Sequence, residues 1–249
     1  MFKEVRMLNV KEKFVFDPST AVGEFAVNIP GATALFRNHK IDFCCGGHIS
    51  LREAAEKKNV NIDTLLLDLA KLERVDEPEH DKSPSELIDY IVTRYHEVHR
   101  EQLPELIRMA ARVEAVHKDN PNVPKGLARF LENVDADLIC HMKKEENILF
   151  PIMKQGGNPF VIQPISMMRL EHLDHGKNLD ELSKLTNDCV PPVQACNTWR
   201  ALYAGLDQLR NDLMNHIHLE NNILFPIFEK EHGDVGESHA AASRCGCAH

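Results

Sequence analysis

The fold is decided by a stretch that occurs twice, as HMKKEENILFP at residues 141–151 and as HIHLENNILFP at residues 216–226. Each copy places a histidine four residues before a glutamate and then continues into an apolar segment that reaches a proline. In an α-helix, four residues turn through about 400° and rise about 6 Å, so the histidine and the glutamate project from one face. Each copy therefore predicts a helix with a face that is suited to binding a metal ion.

Apolar residues lead into both copies at the spacing of a helix that faces a core. They step by four and three residues, and the histidine and the glutamate are members of the same series. The two series are Leu127, Leu131, Val134, Leu138, His141, Glu145 and Ile148, and Leu202, Leu206, Leu209, Leu213, His216, Glu220 and Ile223. An ionised glutamate that is buried without a partner costs several kcal/mol. A metal cation bound between the two faces would compensate that cost.

Two further histidines precede the repeated stretch at nearly the same distance in each half. His96 lies 45 residues before His141, and His172 lies 44 residues before His216. Each half of this region therefore supplies one histidine and then one His-x3-Glu pair. The pattern predicts two similar helical pairs that are related by a pseudo-twofold axis.

The chain is predicted to be all-α, with an antiparallel four-helix bundle that follows a small helical N-terminal domain. Ser83, Pro84 and Glu86 combine an N-cap, a first-turn proline and a capping-box glutamate, which indicate a strong helix start. Turns rich in Pro, Gly and Asn separate the long segments that follow. We expect helices near residues 84–117, 125–153, 164–187 and 197–229. Short connections between helices of this length favour an antiparallel bundle.

The predicted organisation has two domains of unequal size and three flanking or connecting segments. The polar composition of residues 75–83 is typical of a linker and separates the two domains. The parts are a lead-in at 1–16, a small helical domain with a Cys-Cys motif at 17–74, a linker at 75–83, the bundle at 84–229 and a flexible tail at 230–249.

The composition excludes several classes of partner. The 249 residues carry a net charge of −9 and contain no stripe of Lys or Arg, which argues against nucleic acid and against an anionic membrane surface. No stretch approaches the roughly 18 apolar residues of a membrane-spanning helix, and the N-terminus lacks the apolar region of an export signal. We therefore expect a cytoplasmic protein whose seven cysteines are thiols, ligands or redox groups rather than a disulfide framework.

We call the core-facing series of each helix its seam. The histidine and the glutamate of each seam, together with the two upstream histidines, form a set of candidate metal ligands. They are four imidazoles and two carboxylates, from His96, His141, Glu145, His172, His216 and Glu220. The set suits two first-row metal ions better than one, because Glu145 and Glu220 can each bridge the pair. Every metal ion would then have two histidine nitrogens and two carboxylate oxygens and would keep an open position. Mixed ligation of this kind favours non-haem iron, with zinc and manganese as alternatives.

Two other matched pairs lie near the candidate ligands. His99 and His175 each follow a candidate histidine by three residues and are either extra ligands or residues at the rim of the site. Asp137 and Asp212 each lie four residues before a candidate histidine. They are interpreted either as carboxylates that orient the imidazoles or as part of a solvated acidic face.

The N-terminal domain contains a second candidate for chemistry. Cys44 and Cys45 are adjacent and are followed by Gly46 and Gly47. The glycines leave the backbone free to expose both sulfur atoms, and a disulfide between neighbours would be strained and readily reduced. We therefore predict a redox, metal-transfer or docking role for the two cysteines. The alternative is a small pair of thiols buried in a tight turn.

These motifs resemble a known family. The two His-x3-Glu-x-Asn-x-Leu-Phe-Pro stretches, the upstream histidines and Asp-Phe-Cys-Cys-Gly-Gly at residues 42–47 are similar to the bacterial di-iron "repair of iron centres" proteins, which are hemerythrin-like. The resemblance covers about residues 17–229 and places metal ligands at the six candidate positions. It implies two iron ions, joined by an oxo or hydroxo bridge, and repair of iron-sulfur clusters that nitric oxide or oxidants have damaged. True hemerythrins use a fifth histidine and replace one glutamate with aspartate, so reversible dioxygen carriage is not implied.

Three functional hypotheses follow from the sequence. The first is an iron donor or repair factor rather than a conventional enzyme, with damaged iron-sulfur proteins as partners and a homodimer as its assembly. The second is a binding module that senses or scavenges nitric oxide or dioxygen and keeps its iron. The third is a ferritin-like oxidase, which requires Glu-x-x-His pairs that the seam positions do not supply.

Overall fold

The computed structural model describes residues 16–72 and 82–232, and within these ranges the chain is all-α. An isolated bridge between Ala21 and Ser50 accounts for the extended pairing seen in the described residues. The expected lead-in, linker and tail fall largely outside the described residues, as do Cys245 and Cys247, which are the two cysteines of the tail. No helix in the described ranges combines the length and the apolar character needed to cross a membrane.

Within residues 16–72, four short helices form the described part of the N-terminal region. They are α1 (Val22–Asn28), α2 (Ala32–Asn38), α3 (Leu51–Lys57) and α4 (Ile62–Lys71). The side chain of Ser50 caps α3 by accepting a hydrogen bond from the backbone N–H of Glu53. The side chain of Asn61 caps α4 by accepting a hydrogen bond from the backbone N–H of Thr64. The loop that carries the two cysteines lies between α2 and α3.

Four long helices form the bundle, close to the ranges that the sequence predicts. Helix α5 starts at the Ser83–Glu86 capping box, where both reciprocal hydrogen bonds are present. The helices are α5 (Pro84–Ile91, Val92–His96 and Glu97–Val116), α6 (Leu127–Lys144, Glu145–Leu149 and Phe150–Lys154), α7 (Ile162–Thr186) and α8 (Asn197–His218, Leu219–Leu224 and Phe225–His232). In α5, α6 and α8 the middle segment is a π-helical turn.

The π-helical turns correct one expectation about the buried face. An inserted residue shifts the side chains that follow it around the helix axis, and such turns are frequent at functional sites. The seam spacing predicts a buried Ile148, yet that side chain is 53% exposed and its neighbour Leu149 is 1% exposed. In α8 the equivalent shift buries Leu224 completely and leaves Ile223 only half-buried. The shift lets α6 and α8 bury their glutamates without losing the apolar face beyond them.

Two apolar clusters lie on either side of the bundle's buried polar residues. One contains the side chains of the N-terminal helices together with bundle residues such as Leu106, Leu138 and Leu213. The other lies beyond the glutamates and contains Leu149 and Phe225 among other residues. The polar residues are therefore enclosed within the bundle by apolar side chains at both ends.

The N-terminal region is seated on α8 by hydrogen bonds from polar side chains. Asn221 donates from Nδ2 to the carbonyl oxygen of Cys44 at 3.0 Å, and Asn222 donates in the same way to Phe43 at 3.0 Å. The guanidinium of Arg37 donates to Asn215 Oδ1 at 3.0 Å. These contacts hold the loop with the two cysteines against the helix that also carries Glu220.

Candidate metal centre

The six candidate ligands meet in the interior of the bundle, and each is contributed by a different turn of α5, α6, α7 or α8. All six side chains are shielded from solvent, with exposed fractions of 0% or 1%. They form two groups, His96, Glu145, His216 and Glu220 in the first and His141, Glu145, His172 and Glu220 in the second. Within each group the potential ligand atoms all lie within 4.8 Å of one another.

The imidazoles pair across the bundle in a way that the sequence does not specify. His96 of α5 faces His216 of α8, with 3.0 Å between their Nε2 atoms. His141 of α6 faces His172 of α7, with 3.1 Å between their Nε2 atoms. Two nitrogens bound to one metal ion at about 2.1 Å each also lie about 3 Å apart when their bonds are near a right angle. The spacing in both pairs therefore suits a shared cation.

Each carboxylate presents its two oxygens to different imidazole pairs. Glu145 places Oε2 3.5 Å from His96 Nε2 and Oε1 3.3 Å from His141 Nε2. Glu220 places Oε1 3.1 Å from His216 Nε2 and Oε2 3.1 Å from His172 Nε2. This is the arrangement expected of two carboxylates that bridge two metal ions.

The surroundings of the carboxylate oxygens also indicate whether the cluster is suited to binding two cations. Both oxygens of Glu145 and Oε2 of Glu220 are buried and accept no hydrogen bond from the described residues. A buried carboxylate oxygen without a hydrogen bond or a cation is strongly destabilising. Because these oxygens instead converge with imidazole nitrogens, the donor set fits two bound metal ions.

Electrostatic coupling within the cluster is strong. Burial by itself would raise the pKa of the Glu220 carboxyl, but the nearby imidazoles of His216 and His172 outweigh burial and hold that pKa well below its usual range. Burial would lower the pKa of His141, but the adjacent carboxylates, with Glu145 foremost, raise it to about 9. Without metal, the cluster therefore retains a proton on His141 at neutral pH, and the Glu220 carboxyl is ionised. A binding cation must displace that proton.

The outward-facing nitrogens of three imidazoles have specific partners. Nδ1 of His96 lies 2.7 Å from Glu146 Oε1, Nδ1 of His141 lies 2.9 Å from Glu171 Oε2, and Nδ1 of His172 lies 2.9 Å from Asn221 Oδ1. A partner on Nδ1 leaves Nε2 free to bind metal and fixes the orientation of the ring. In each case the partner lies on a neighbouring helix rather than on the helix of its histidine. The sequence did not single out these partners, because only packing brings them to their histidines.

The matched aspartates do not orient the imidazoles in this structure. Asp212 Oδ1 accepts a hydrogen bond from the Arg94 guanidinium at 2.7 Å instead of pairing with His216. Asp137 is exposed, as the alternative of a solvated acidic face predicts. Nδ1 of His216 has no partner among the described residues.

Aromatic rings cover the cluster on its glutamate side. Each ring stacks on one candidate ligand, at centroid distances of 5.5 Å, 5.8 Å and 6.0 Å. The pairs are Tyr95 on His216, Phe150 on His96 and Phe225 on His172. Two of these rings belong to the Leu-Phe-Pro ends of the repeated stretches, which explains why an apolar segment follows each glutamate.

His99 and His175 are buried near the cluster but belong to neither group. The ring of His99 lies 5.5 Å from that of His216, and the ring of His175 lies 4.8 Å from that of His141, measured between centroids. Burial, followed by repulsion from neighbouring imidazoles, lowers the pKa of His175 to about 3 and lowers that of His99 as well. Both side chains are therefore neutral residues beside the candidate ligands.

The two cysteines form a tight turn around one carboxylate. Asp42 accepts hydrogen bonds from the backbone N–H groups of Cys44, Cys45 and Gly46 at 3.0, 2.9 and 2.9 Å. The two sulfur atoms are 3.7 Å apart, and both cysteines are free thiols. A hydrogen bond with Cys45 and then burial raise the pKa of the Cys44 thiol. Cys45 is partly exposed and lies with its Sγ 3.1 Å from the carbonyl oxygen of His172.

We predict that Asn221→Ala weakens metal binding about 10- to 100-fold, because His172 loses the group that orients it. Titration with iron in competition with a chelator measures the change. The matched control is Asn222→Ala, which loses an equivalent hydrogen bond to the cysteine loop but no contact with a candidate ligand. Equal losses of affinity in the two variants would contradict the orienting role.

Comparisons with known proteins agree with this geometry. The hemerythrin HHE cation binding domain matches residues 87–228, and a domain of unknown function, DUF542, matches residues 18–73. The chain is 49% identical over 207 residues to the "Iron-sulfur cluster repair protein YtfE" of Escherichia coli O81 (strain ED1a), an alignment that covers 82% of this chain and 94% of that protein. The protein of the same name from Escherichia fergusonii matches with the same identity and coverage.

The family match identifies the cofactor type. Hemerythrin HHE domains bind a non-haem di-iron centre, and the two buried His and Glu groups supply donor atoms for one. The expected hemerythrin-like bundle is confirmed. The chain therefore belongs to the hemerythrin HHE cation-binding family, and within it to the iron-sulfur cluster repair proteins that its motifs resemble.

Proposed function

We propose that this protein repairs iron-sulfur clusters that nitric oxide or oxidants have damaged, and that it does so in the cytoplasm by donating iron. The observation that carries the proposal is the pair of carboxylates, each of which offers one oxygen to each imidazole pair. The names of relatives that are 49% identical support the repair role. Proteins with damaged clusters are the partners that this role requires.

The six candidate ligands would hold two iron ions, which are the material to be delivered. Bound iron would supply exchangeable ligand positions that can pass to sulfur ligands of a recipient.

We propose that Cys44 and Cys45 contact the recipient during transfer. Cys45 reaches the backbone of His172, so its sulfur lies close to the second imidazole pair. A surface opening of about 390 Å³ is lined by Cys45, His48, Ser166, Arg169, Leu170, Leu173 and Asn221. Asn221 connects this opening to the centre, because it bonds both to the cysteine loop and to His172. A recipient bound there would meet a thiol next to the iron site.

Anaerobic transfer of labelled iron to a nitric-oxide-damaged cluster enzyme tests the proposal. The wild type is expected to restore the enzyme and to lose an equivalent amount of iron. Cys44→Ser combined with Cys45→Ser is expected to keep its iron but to transfer it about ten times more slowly. Cys140→Ser, which changes an exposed cysteine outside the loop, is the matched control. Equal recovery with the wild type and the double variant would reject the role of the cysteines.

A second candidate function is binding of nitric oxide or dioxygen without repair of another protein. A small apolar cavity that is lined by His175 and by leucine side chains favours it, since the cavity has room for about one small molecule. A binding module would keep its iron in the transfer experiment, whereas a donor would lose it. Iron that stays with the protein while a gas binds would therefore support this second function.

A further inference from the structure

A second kind of ligand cluster lies outside the bundle, in the loop between α2 and α3. Asp42, Cys44 and Cys45 each offer one potential ligand atom, and these atoms all lie within 4.8 Å of one another. The cluster shares no residue with the two groups of histidines and glutamates. It combines two thiols with a carboxylate, which is a donor set that the bundle centre does not contain.

The distances between the three ligand atoms match those around a single tetrahedral metal ion. The two sulfur atoms are 3.7 Å apart, and Asp42 Oδ1 lies 3.4 Å from Cys44 Sγ. Metal–sulfur bonds of about 2.3 Å and a metal–oxygen bond of about 2.1 Å, at tetrahedral angles, place two sulfurs about 3.8 Å apart and a sulfur and an oxygen about 3.6 Å apart. The observed distances are therefore close to those of a bound ion.

The backbone of the loop holds these ligand atoms together. The N–H groups of Cys44, Cys45 and Gly46 all donate to the Asp42 carboxylate. A carboxylate has about four acceptor sites, so one site remains for a further partner. A Cβ at Gly46 would lie 2.9 Å from Asp42 Oδ2, so any larger residue there would displace the carboxylate. The turn therefore orients the carboxylate toward the thiols in advance.

The cluster is enclosed on one side and reachable from solvent on the other. Cys44 is 4% exposed, whereas Cys45 is half-buried and lines the same surface opening as His48. On α7, Gly176 leaves space for the second thiol, because a Cβ at that position would lie 3.4 Å from Cys45 Sγ. An ion can therefore reach the cysteines through the opening, and solvent can supply a fourth ligand.

The ligand types restrict which ions suit the cluster. Thiolates favour soft and borderline transition-metal ions, whereas magnesium and calcium prefer oxygen ligands. Two thiolates and one carboxylate carry three negative charges, which favours a divalent over a monovalent cation. Three protein ligands leave one tetrahedral position open, unlike the four protein ligands of a closed structural zinc site.

We propose that Asp42, Cys44 and Cys45 form a separate metal site, which binds one thiophilic divalent cation and keeps one ligand position open to solvent. Each thiol releases its proton to solvent as its metal–sulfur bond forms, and no electron is transferred. The proposal does not depend on the repair function, because the site shares no residue with the bundle centre. Its ligand Cys45 lies 3.1 Å from the carbonyl oxygen of His172, which places the site beside the second imidazole pair.

Anaerobic titration of the iron-loaded protein with cobalt(II) tests the proposal. Thiolate ligands give cobalt(II) an intense charge-transfer absorption in the near ultraviolet, which histidine and carboxylate ligands do not give. Cys245 and Cys247 can also bind cobalt, so the full chain with both changed to serine is the reference. The reference chain is expected to bind one cobalt ion with this absorption in the difference spectrum. An excess of zinc is expected to abolish it.

Substitutions in the reference chain assign the absorption to the cluster. Cys44→Ser and Cys45→Ser are each expected to weaken cobalt binding more than about 100-fold, since loss of a group that only orients a ligand already costs about 10–100-fold. Asp42→Asn keeps an oxygen but loses the negative charge, and it is expected to weaken binding about tenfold. Cys140→Ser changes an exposed cysteine of α6 and is expected to bind cobalt like the reference chain.

Three results would overturn the proposal. They are cobalt binding to the reference chain without the thiolate absorption, an absorption that persists in Cys44→Ser and Cys45→Ser, and an absorption that excess zinc leaves unchanged. Iron content and far-ultraviolet circular dichroism are measured first, because equal values show that a variant has lost a ligand rather than its fold. A cobalt absorption in protein that cannot be loaded with iron would support this site while the di-iron function failed.

Discussion

Glu145→Leu is expected to remove both iron ions together, whereas His96→Ala is expected to remove only the ion of the first group. The difference follows from the geometry, because Glu145 offers one oxygen to each imidazole pair and His96 belongs to a single pair. Glu220→Leu is expected to behave like Glu145→Leu, since Glu220 also belongs to both groups. Metal analysis of purified protein, in iron atoms per chain, measures the effect.

A matched control separates this effect from a general effect of losing a glutamate. Glu132 lies on the same helix as Glu145 but is exposed and pairs with Arg129 at 3.0 Å. Glu132→Leu is expected to retain both iron ions. If Glu145→Leu kept one iron ion while His96→Ala lost both, Glu145 would not bridge the two positions.

Removal of iron by a chelator is expected to lower the melting temperature of the wild type by about 10 °C. A ligand present at about 1,000 times its dissociation constant stabilises the folded state by about 4 kcal/mol, and each kcal/mol shifts the melting temperature of a chain of this size by about 2–4 °C. Glu145→Leu is expected to show no change with the chelator, because it holds no iron. Calorimetry with and without chelator measures both values.

The same experiment yields a second comparison in the metal-free state. Metal-free Glu145→Leu is expected to melt several degrees below the metal-free wild type, because it removes the carboxylate that lies 3.3 Å from the buried, protonated imidazole of His141. Breaking a buried ion pair by removing one partner costs about 3–5 kcal/mol. An equal or higher melting temperature for the variant would show that the buried Glu145 oxygens, which accept no hydrogen bond among the described residues, dominate the energetics of the emptied site.

The centre and the cysteine loop are linked by a short chain of contacts. Asn221 accepts from His172 and donates to the backbone of Cys44, while Cys45 approaches the backbone of His172. A change in the loop, such as contact with a recipient, can therefore reach the second imidazole pair directly.

The sequence alone determined the bundle, its approximate helix ranges and the residues that meet at its centre. These features depend on spacing within single helices, because a 3.6-residue period places each histidine and its glutamate on one face. Matched offsets in the two halves then brought in His96 and His172. Local patterns of this kind can be recognised without knowing how the helices pack.

Only the tertiary structure decided how these residues combine. It paired His96 with His216 and His141 with His172, and it shifted the buried face from Ile148 to Leu149 through a π-helical turn. It also brought outer partners to the imidazoles from neighbouring helices and left a small cavity beside His175. Each of these outcomes depends on the packing of one helix against another, and side-chain spacing along a single helix carries no information about it.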